Sequence, residues 1–190
     1  MYNKLIINSI QNLVRMLPLY RIKIFFEEIV LYTESKYLHN LIFFMKYHCF
    51  FQYKVLTCIS GTDYPENKFR FEVSYELLSL TFNNRIRIKV FCNELQSIDS
   101  CSDIFSTAGW YECEIWDMFG IFFKNHFNLR RILTDYGFEG HPLRKDFPLN
   151  GYLEVRYSEN YKRIINESIE LLQEYRTFNF FGAWEFNNNE

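Results

Sequence analysis

Residues Lys68–Cys92 read KFRFEVSYELLSLTFNNRIRIKVFC, and the period of two along this stretch decides the fold class. Phe69, Phe71, Val73 and Tyr75 alternate with polar residues from Lys68 towards Thr81. Asn83-Asn84 offers a turn, because asparagine tolerates positive φ. From Arg85 to Cys92 the alternation is strict, with Ile86, Ile88 and Val90 to one side and Arg85, Arg87 and Lys89 to the other. One apolar and one basic face describe an antiparallel hairpin in a sheet packed on one side only, which disfavours a large parallel doubly wound sheet. Working backwards, Tyr53–Ser60 reads as a strand rich in Val, Thr and Ile. Ser35–Cys49 reads as a helix with Leu38, Leu41, Ile42 and Met45 at i, i+3, i+4 and i+7. Arg21–Tyr32 reads as a first strand. Asn3–Leu17 reads as a short helix closed by Pro18. Working forwards, Ser97–Phe105 and Thr107–Phe119 read as helices, the second stopped by Gly120. Tyr152–Tyr157 reads as a short last strand, and Arg163–Tyr175 as a weak amphipathic helix or extended arm. Asn187–Glu190 is a polar tail. The expected class is α+β: a mixed, mostly antiparallel sheet with helices on one face, plus a long irregular C-terminal arm. The expected organisation is an N-terminal helix or arm over 1–20, a globular domain over 21–120 and an extended arm over 121–190 that contacts neighbouring subunits.

Composition narrows the function classes. A chain of 190 residues is long enough for one real core without staples. A net charge of −2 gives no global attraction to nucleic acid or an anionic membrane. Five cysteines, at 49, 58, 92, 101 and 113, include no C-x-x-C pair, and the expectation is buried, reduced thiols rather than a zinc or iron–sulfur site. The longest wholly apolar run in the helical stretch before Cys49 is Leu41–Met45, far short of the roughly 20 residues of a membrane span. The first thirty residues do not read as a signal or transit peptide, since Glu27 and Glu28 interrupt them and arginine is sparse. Phe, Tyr, Asn, Ile and Lys have AT-rich codons, and their abundance points to an AT-rich, organellar gene. Aromatics at 20% supply large contact areas for partner chains as well as for a core.

The stretch that carries the chemistry is WYECEIWDMFGIFFKNHFNLRRILTDYGFEGHPLRKDFPLNGYLEVRY, Trp110–Tyr157. Glu112, Glu114 and Asp117 lie on the short helix, and Glu114 and Asp117, three apart, share a face. Such a pair can do acid–base work or hold a cation, but a structural, ion-paired role is the expected one. His126 and His141 stand in no metal-ligand spacing, and Pro142 holds His141 extended. Arg130, Arg131, Arg144 and Lys145 are interleaved with Asp135, Glu139 and Asp146, and no glycine-rich phosphate loop accompanies them, so nucleic acid is not the expected partner. Segment 124–146 is net positive and the preceding helix carries three carboxylates; this polarity fits a clamp between helix and arm, or a partner of opposite charge. Tyr136, Phe138, Leu143, Phe147 and Leu149 argue against disorder, while Gly137 and Gly140 punctuate the loop.

The same residues carry a resemblance. Glu112-x-Glu114-x-x-Asp117-Met118-Phe119-Gly120-Ile121, His126-x-x-Leu129-Arg130-Arg131-Ile132 and Leu133–Leu149, LTDYGFEGHPLRKDFPL, resemble the thirty-kilodalton subunit family of respiratory complex I, called NADH dehydrogenase subunit 9 in mitochondria and with counterparts in bacteria. Weaker similarity extends from about Val55 to about Tyr175. Two positions depart from the family pattern: Cys113 stands where arginine is usual, and Phe127-Asn128 where Pro-Asp is usual. The resemblance implies a non-catalytic structural and assembly subunit in the hydrophilic arm of proton-pumping NADH:ubiquinone oxidoreductase, near the quinone module. It implies no flavin, iron–sulfur cluster or quinone on this chain: FMN, clusters and ubiquinone are held by partners. Those partners are the quinone-site subunit related to hydrogenase large subunits and neighbouring iron–sulfur subunits. The implied location is peripheral, on the matrix side of the mitochondrial inner membrane, or on the cytoplasmic face of a bacterial membrane. Glu112, Glu114, Asp117, Gly120, His126, Arg130, Arg131, Asp135, Tyr136, Gly137, Glu139, Gly140, His141, Pro142, Arg144, Lys145 and Asp146 are then expected at the subunit interface. Two alternatives stand beside this reading. One is a stand-alone acid–base enzyme using Glu114, Asp117, His126 and His141; the other is a subunit of a complex I-related hydrogenase.

Overall fold

The computed structural model describes residues 16–25, 28–170 and 178. The helix expected over Asn3–Leu17 falls almost entirely outside them, as does the polar tail. Within the described residues the protein is α+β, and it divides into two compact units, 1–146 and 147–190.

The first unit is built on a five-stranded mixed sheet in the order β1-β2-β5-β4-β3. Its strands are β1 (Arg21–Phe25), β2 (Glu28–Thr33), β3 (Val55–Asp63), β4 (Phe71–Ser79) and β5 (Asn84–Cys92). The expected hairpin forms as β4–β5, antiparallel from Phe71↔Cys92 to Ser79↔Asn84, and Asn83 takes the positive φ (46°) that the turn requires. Where one strand was expected over Arg21–Tyr32, the chain makes two. It reverses between Phe25 and Glu28 and pairs β1 with β2 antiparallel, because Ile29, Val30 and Leu31 are needed in the interior, where β2 runs parallel to β5. Ile22, Leu31, Ile88, Tyr75 and Ile59 lie opposite one another across all five strands. That row marks the face that carries the core.

A short 3-10 turn (Ser35–Tyr37) leads into α1 (Leu38–Tyr47), whose Leu38, Leu41, Ile42 and Met45 are all buried, as the heptad-like spacing predicts. Helix α2 (Ala108–Phe119) adds Ala108, Ile115 and Phe119 to the same core. It lies against β3. Tyr111 donates its hydroxyl hydrogen to the Thr57 carbonyl (3.0 Å) at a β-bulge of that strand. The Phe119 ring passes so close to Gly61 that a Cβ there would sit 2.9 Å from it. The helix expected over Ser97–Phe105 is instead a two-residue strand β6 (Ile98–Asp99) followed by turns. Ile98 and Asp99 pair in parallel with β7 (Phe123–Lys124), and burying Ile98, Cys101, Ile104 and Phe105 together overrides any local helical preference. Along the chain β6 precedes α2 and β7 follows it, so their pairing closes the segment that holds the helix.

The segment from Ile121 to Asp146 belongs to the first compact unit. The second unit holds β8 (Leu153–Ser158) and β9 (Arg163–Ser168), an antiparallel hairpin. Arg163–Ser168 is therefore a strand and not the start of a helix; Ile164 and Ile165 suit a strand, and Lys162 at φ 50° supports the reversal. Arg156 and Glu167 pair across the hairpin (Nε to Oε2, 2.8 Å).

Candidate functional site

Helix α2 and the loop after it form one hydrogen-bonded body. The helix ends on Gly120, which is left-handed (φ 76°). An α-helix leaves its last four carbonyls without partners inside the helix, and here the loop supplies them all. The Gly120 N–H reaches the Trp116 carbonyl (2.9 Å) and the Leu143 N–H reaches that of Met118 (3.1 Å). His141 donates from Nδ1 to the Asp117 carbonyl (3.0 Å), and Arg144 from Nε to that of Phe119 (2.6 Å). Two basic side chains thus sit at the negative end of the helix dipole. A side chain at Gly120 would collide with them, since its Cβ would lie 2.5 Å from His141 Nε2 and 2.6 Å from Arg144 Nη2.

Asp117 is buried and organises the loop from within. Its Oδ2 accepts from three successive backbone N–H groups, Ile132 (3.1 Å), Leu133 (2.8 Å) and Thr134 (3.0 Å). Its Oδ1 accepts from the Thr134 hydroxyl (2.7 Å) and Arg131 Nη1 (3.2 Å). Burial alone would raise its pKa, but the Thr134 hydroxyl and the three N–H groups outweigh that and hold the carboxyl below its ordinary value. Arg131 also reaches the Gly140 carbonyl (2.9 Å), closing the glycine-punctuated turn around Asp135–Gly137. Near the end of the segment the Lys145 N–H binds Asp63 Oδ2 (2.9 Å). Asp63 is buried and held in a two-point pair by Arg70 (2.7 and 3.0 Å), and Arg70 Nη2 also meets Asp146 (3.0 Å). Burial works to raise the Asp63 pKa, yet Arg70 and the Lys145 N–H bring it below the ordinary value.

Glu112 forms a second, separate cluster. Fully buried, it accepts from the Ser100 hydroxyl (2.5 Å) and the Cys101 N–H (2.8 Å). His126 Nε2 lies 3.7 Å away. Burial pushes the Glu112 carboxyl up to about 7, against the pull of those two hydrogen bonds. His126 donates from Nε2 to the Gly109 carbonyl (3.1 Å) and accepts from the Asn128 N–H at Nδ1 (3.0 Å).

The candidate residues thus fall into groups. Asp117, Gly120, Arg131, Gly140, His141 and Arg144 come together, as do Lys145 and Asp146 around Asp63, and Glu112 with His126. Glu114 is exposed and does not join Asp117 despite sharing its helix face. Arg130, Tyr136, Gly137 and Glu139 point outward, Pro142 is half-buried, and Asp135 accepts from the Tyr136 N–H. Glu114, Asp117, His126 and His141 do not build an acid–base pocket. Both Asp117 oxygens are filled by donors of the chain itself, His126 faces Glu112 rather than Glu114, and His141 is spent on a backbone carbonyl. Asp63 and Arg70 were missed from sequence. Their only trace was an acid and a base facing each other across the β3–β4 connection. Among the described residues no group of three His, Cys, Asp or Glu side chains could hold a metal. Cys92, Cys101 and Cys113 are buried as free thiols, and burial pushes the Cys92 thiol up to about 12.

Known proteins match this architecture. Residues 31–153 match the family "Respiratory-chain NADH dehydrogenase, 30 Kd subunit". The chain is 49% identical over 176 residues to NADH-ubiquinone oxidoreductase subunit 9 of Reclinomonas americana, covering 92% of this chain and 86% of that protein. It is 55% identical over 153 residues to NADH dehydrogenase [ubiquinone] iron-sulfur protein 3 of Solanum tuberosum, covering 80% of each. A chain in the structure of the membrane-bound sulfane sulfur reductase, an archaeal respiratory membrane complex, shares the fold with a TM-score of 0.64 at 20% identity, over 75% of this chain and 85% of that one. With most of the chain aligned at about half identity, this protein belongs to the 30 kDa subunit family of respiratory-chain NADH dehydrogenase.

Proposed function

We propose that this chain is a non-catalytic structural and assembly subunit of the hydrophilic arm of proton-pumping NADH:ubiquinone oxidoreductase. It braces the quinone module and supports electron transfer from NADH to ubiquinone without carrying a redox group. Flavin, iron–sulfur clusters and ubiquinone belong to its partners, the quinone-site subunit related to hydrogenase large subunits and the neighbouring iron–sulfur subunits. The chain works on the matrix side of the mitochondrial inner membrane; among the described residues no helix is long and apolar enough to cross a membrane.

The observation that carries this reading is the use made of the polar motif residues. They fix the 121–146 loop to α2 from inside, while Phe122, Phe127, Leu133, Tyr136 and Leu143 of that loop are left exposed. Large apolar side chains held outward on a braced loop suit an interface better than a reaction centre. The complex I assignment is favoured over a related hydrogenase because the 49–55% identical relatives carry the NADH–ubiquinone names, whereas the sulfane sulfur reductase chain is 20% identical. Depleting the chain in its own cells tests the proposal by native gel and NADH:ubiquinone reductase assay. The expected result is loss of the full-size complex together with its activity. Full-size complex with a specific block in one electron-transfer step would overturn it.

A further inference from the structure

A cleft of about 620 Å³ opens between the first turn of α2 and the 125–130 loop. Its walls carry two strongly exposed aromatic rings, Trp110 (63%) and Phe127 (96%). Phe127 is held outward by its neighbours: His126 turns inward onto the Gly109 carbonyl, and the Asn128 N–H locks back onto the His126 ring. The ring is therefore presented by a fixed loop rather than left over by a loose one. Arg130 lies at the same cleft, exposed, and no carboxylate pairs with it among the described residues. Asp103 also lines the cleft and hydrogen-bonds to His39 Nε2 (2.8 Å). A guanidinium without a carboxylate partner among the described residues thus stands beside two exposed aromatic rings, residue types enriched where protein interfaces concentrate their energy.

We infer that this cleft receives an acidic–apolar segment of a partner subunit, a carboxylate pairing with Arg130 while a neighbouring apolar side chain seats between Trp110 and Phe127. This deepens the proposed function and rests on it. It assigns the docking site to residues outside the internal network around Asp117.

The test uses the assembled complex. A photo-crosslinking phenylalanine analogue is placed at 127 and, in a second strain, at 136, and crosslinked peptides are sequenced. From position 127 the expected product joins a partner peptide with Asp or Glu within a few residues of the crosslinked apolar side chain. Arg130→Glu is expected to cut that yield at least fivefold and Arg130→Lys to retain most of it. Crosslinks from 127 to this chain's own residues, to a second copy of it, to a partner peptide without an acidic residue, or to nothing, would overturn the inference. So would an Arg130→Glu yield equal to wild type. The two levels separate cleanly: if 136 crosslinks a partner while 127 does not, the cleft assignment fails and the subunit role stands. If the chain does not co-migrate with the complex at all, the subunit role fails as well.

Discussion

Asp117 shows what one buried carboxylate can do for a loop. Three successive N–H groups, a hydroxyl and a guanidinium converge on it, so the 131–134 backbone has its donors satisfied without secondary structure of its own. Asp117→Asn puts an amide N–H₂ among donors and removes the charge, and should cost about 2–4 kcal/mol. For a chain of this length that is a fall in melting temperature of roughly 5–15 °C, readable by calorimetry. Gly120→Ala should be destabilising too, through both its positive φ and the His141 and Arg144 side chains it would strike. The acids divide by sign. Asp117 and Asp63 have folded pKa values below their ordinary ones, so their contribution is present above about pH 4 and is lost as pH falls through the folded value. Glu112 runs the other way. Its pKa is raised to about 7 from an ordinary 4.5, so its contribution is fully present below about pH 4.5 and is lost as pH rises through 7. The gap corresponds to about 3 kcal/mol. Glu112→Gln should therefore flatten the decline in stability between pH 5 and 7, and parallel denaturation curves for the two proteins across that range would contradict this. Glu112, Asp117 and Gly120 were legible as a motif. Their separate jobs were not, because the donors that distinguish the two carboxylates lie 11 to 17 residues away and a pattern of letters does not say which carboxylate turns inward.

At the scale of elements, helix α1 divides its two faces cleanly. Leu41 is buried in the core, whereas Phe43, two residues on, is 52% exposed beside Tyr47. Leu41→Ala should cost about 2–5 kcal/mol, and Phe43→Ser should change stability by about 0.5 kcal/mol or less. Urea denaturation of both variants would check the contrast, and equal costs would mean that the helix lies differently on the sheet. Elements with strong periodicity were readable for the same reason: α1, β5 and α2 each carry the repeat that their burial demands. Arg21–Tyr32, Ser97–Phe105 and Arg163–Tyr175 were not. In the first, nothing local marks the reversal between Phe25 and Glu28. In the second, Ile98 and Asp99 are strand only because Phe123 and Lys124, some 25 residues later, pair with them. In the third, Ile164 and Ile165 join a hairpin with β8 that depends on register across the turn. All three depend on pairing between segments, which no local propensity encodes.

For the molecule as a whole, two arginines that sequence treats alike separate fold from assembly. Arg144 is anchored inside the chain: its Nε caps the Phe119 carbonyl and its guanidinium lies 5.2 Å from the Phe71 ring centre. Arg130 makes no such contact among the described residues and faces the cleft beside Phe127. Sequence supports one expectation for both, that an alanine weakens assembly without abolishing the fold of residues 20–105. The structure splits it. Arg144→Ala removes a hydrogen bond from a charged donor at a helix C-terminus together with a cation–π contact, and should destabilise the isolated chain by about 2–3 kcal/mol. Assembly would then fall only because less folded chain is available. Arg130→Ala should leave the unfolding free energy within about 0.5 kcal/mol of wild type and still lower the yield of assembled complex. Thermal unfolding of the purified chain and native-gel quantification of the complex, run on both variants, give a two-by-two outcome. If Arg130→Ala lost thermal stability as Arg144→Ala does, the side chain would belong to the internal network, and the outward surface of the loop would have to be drawn without it.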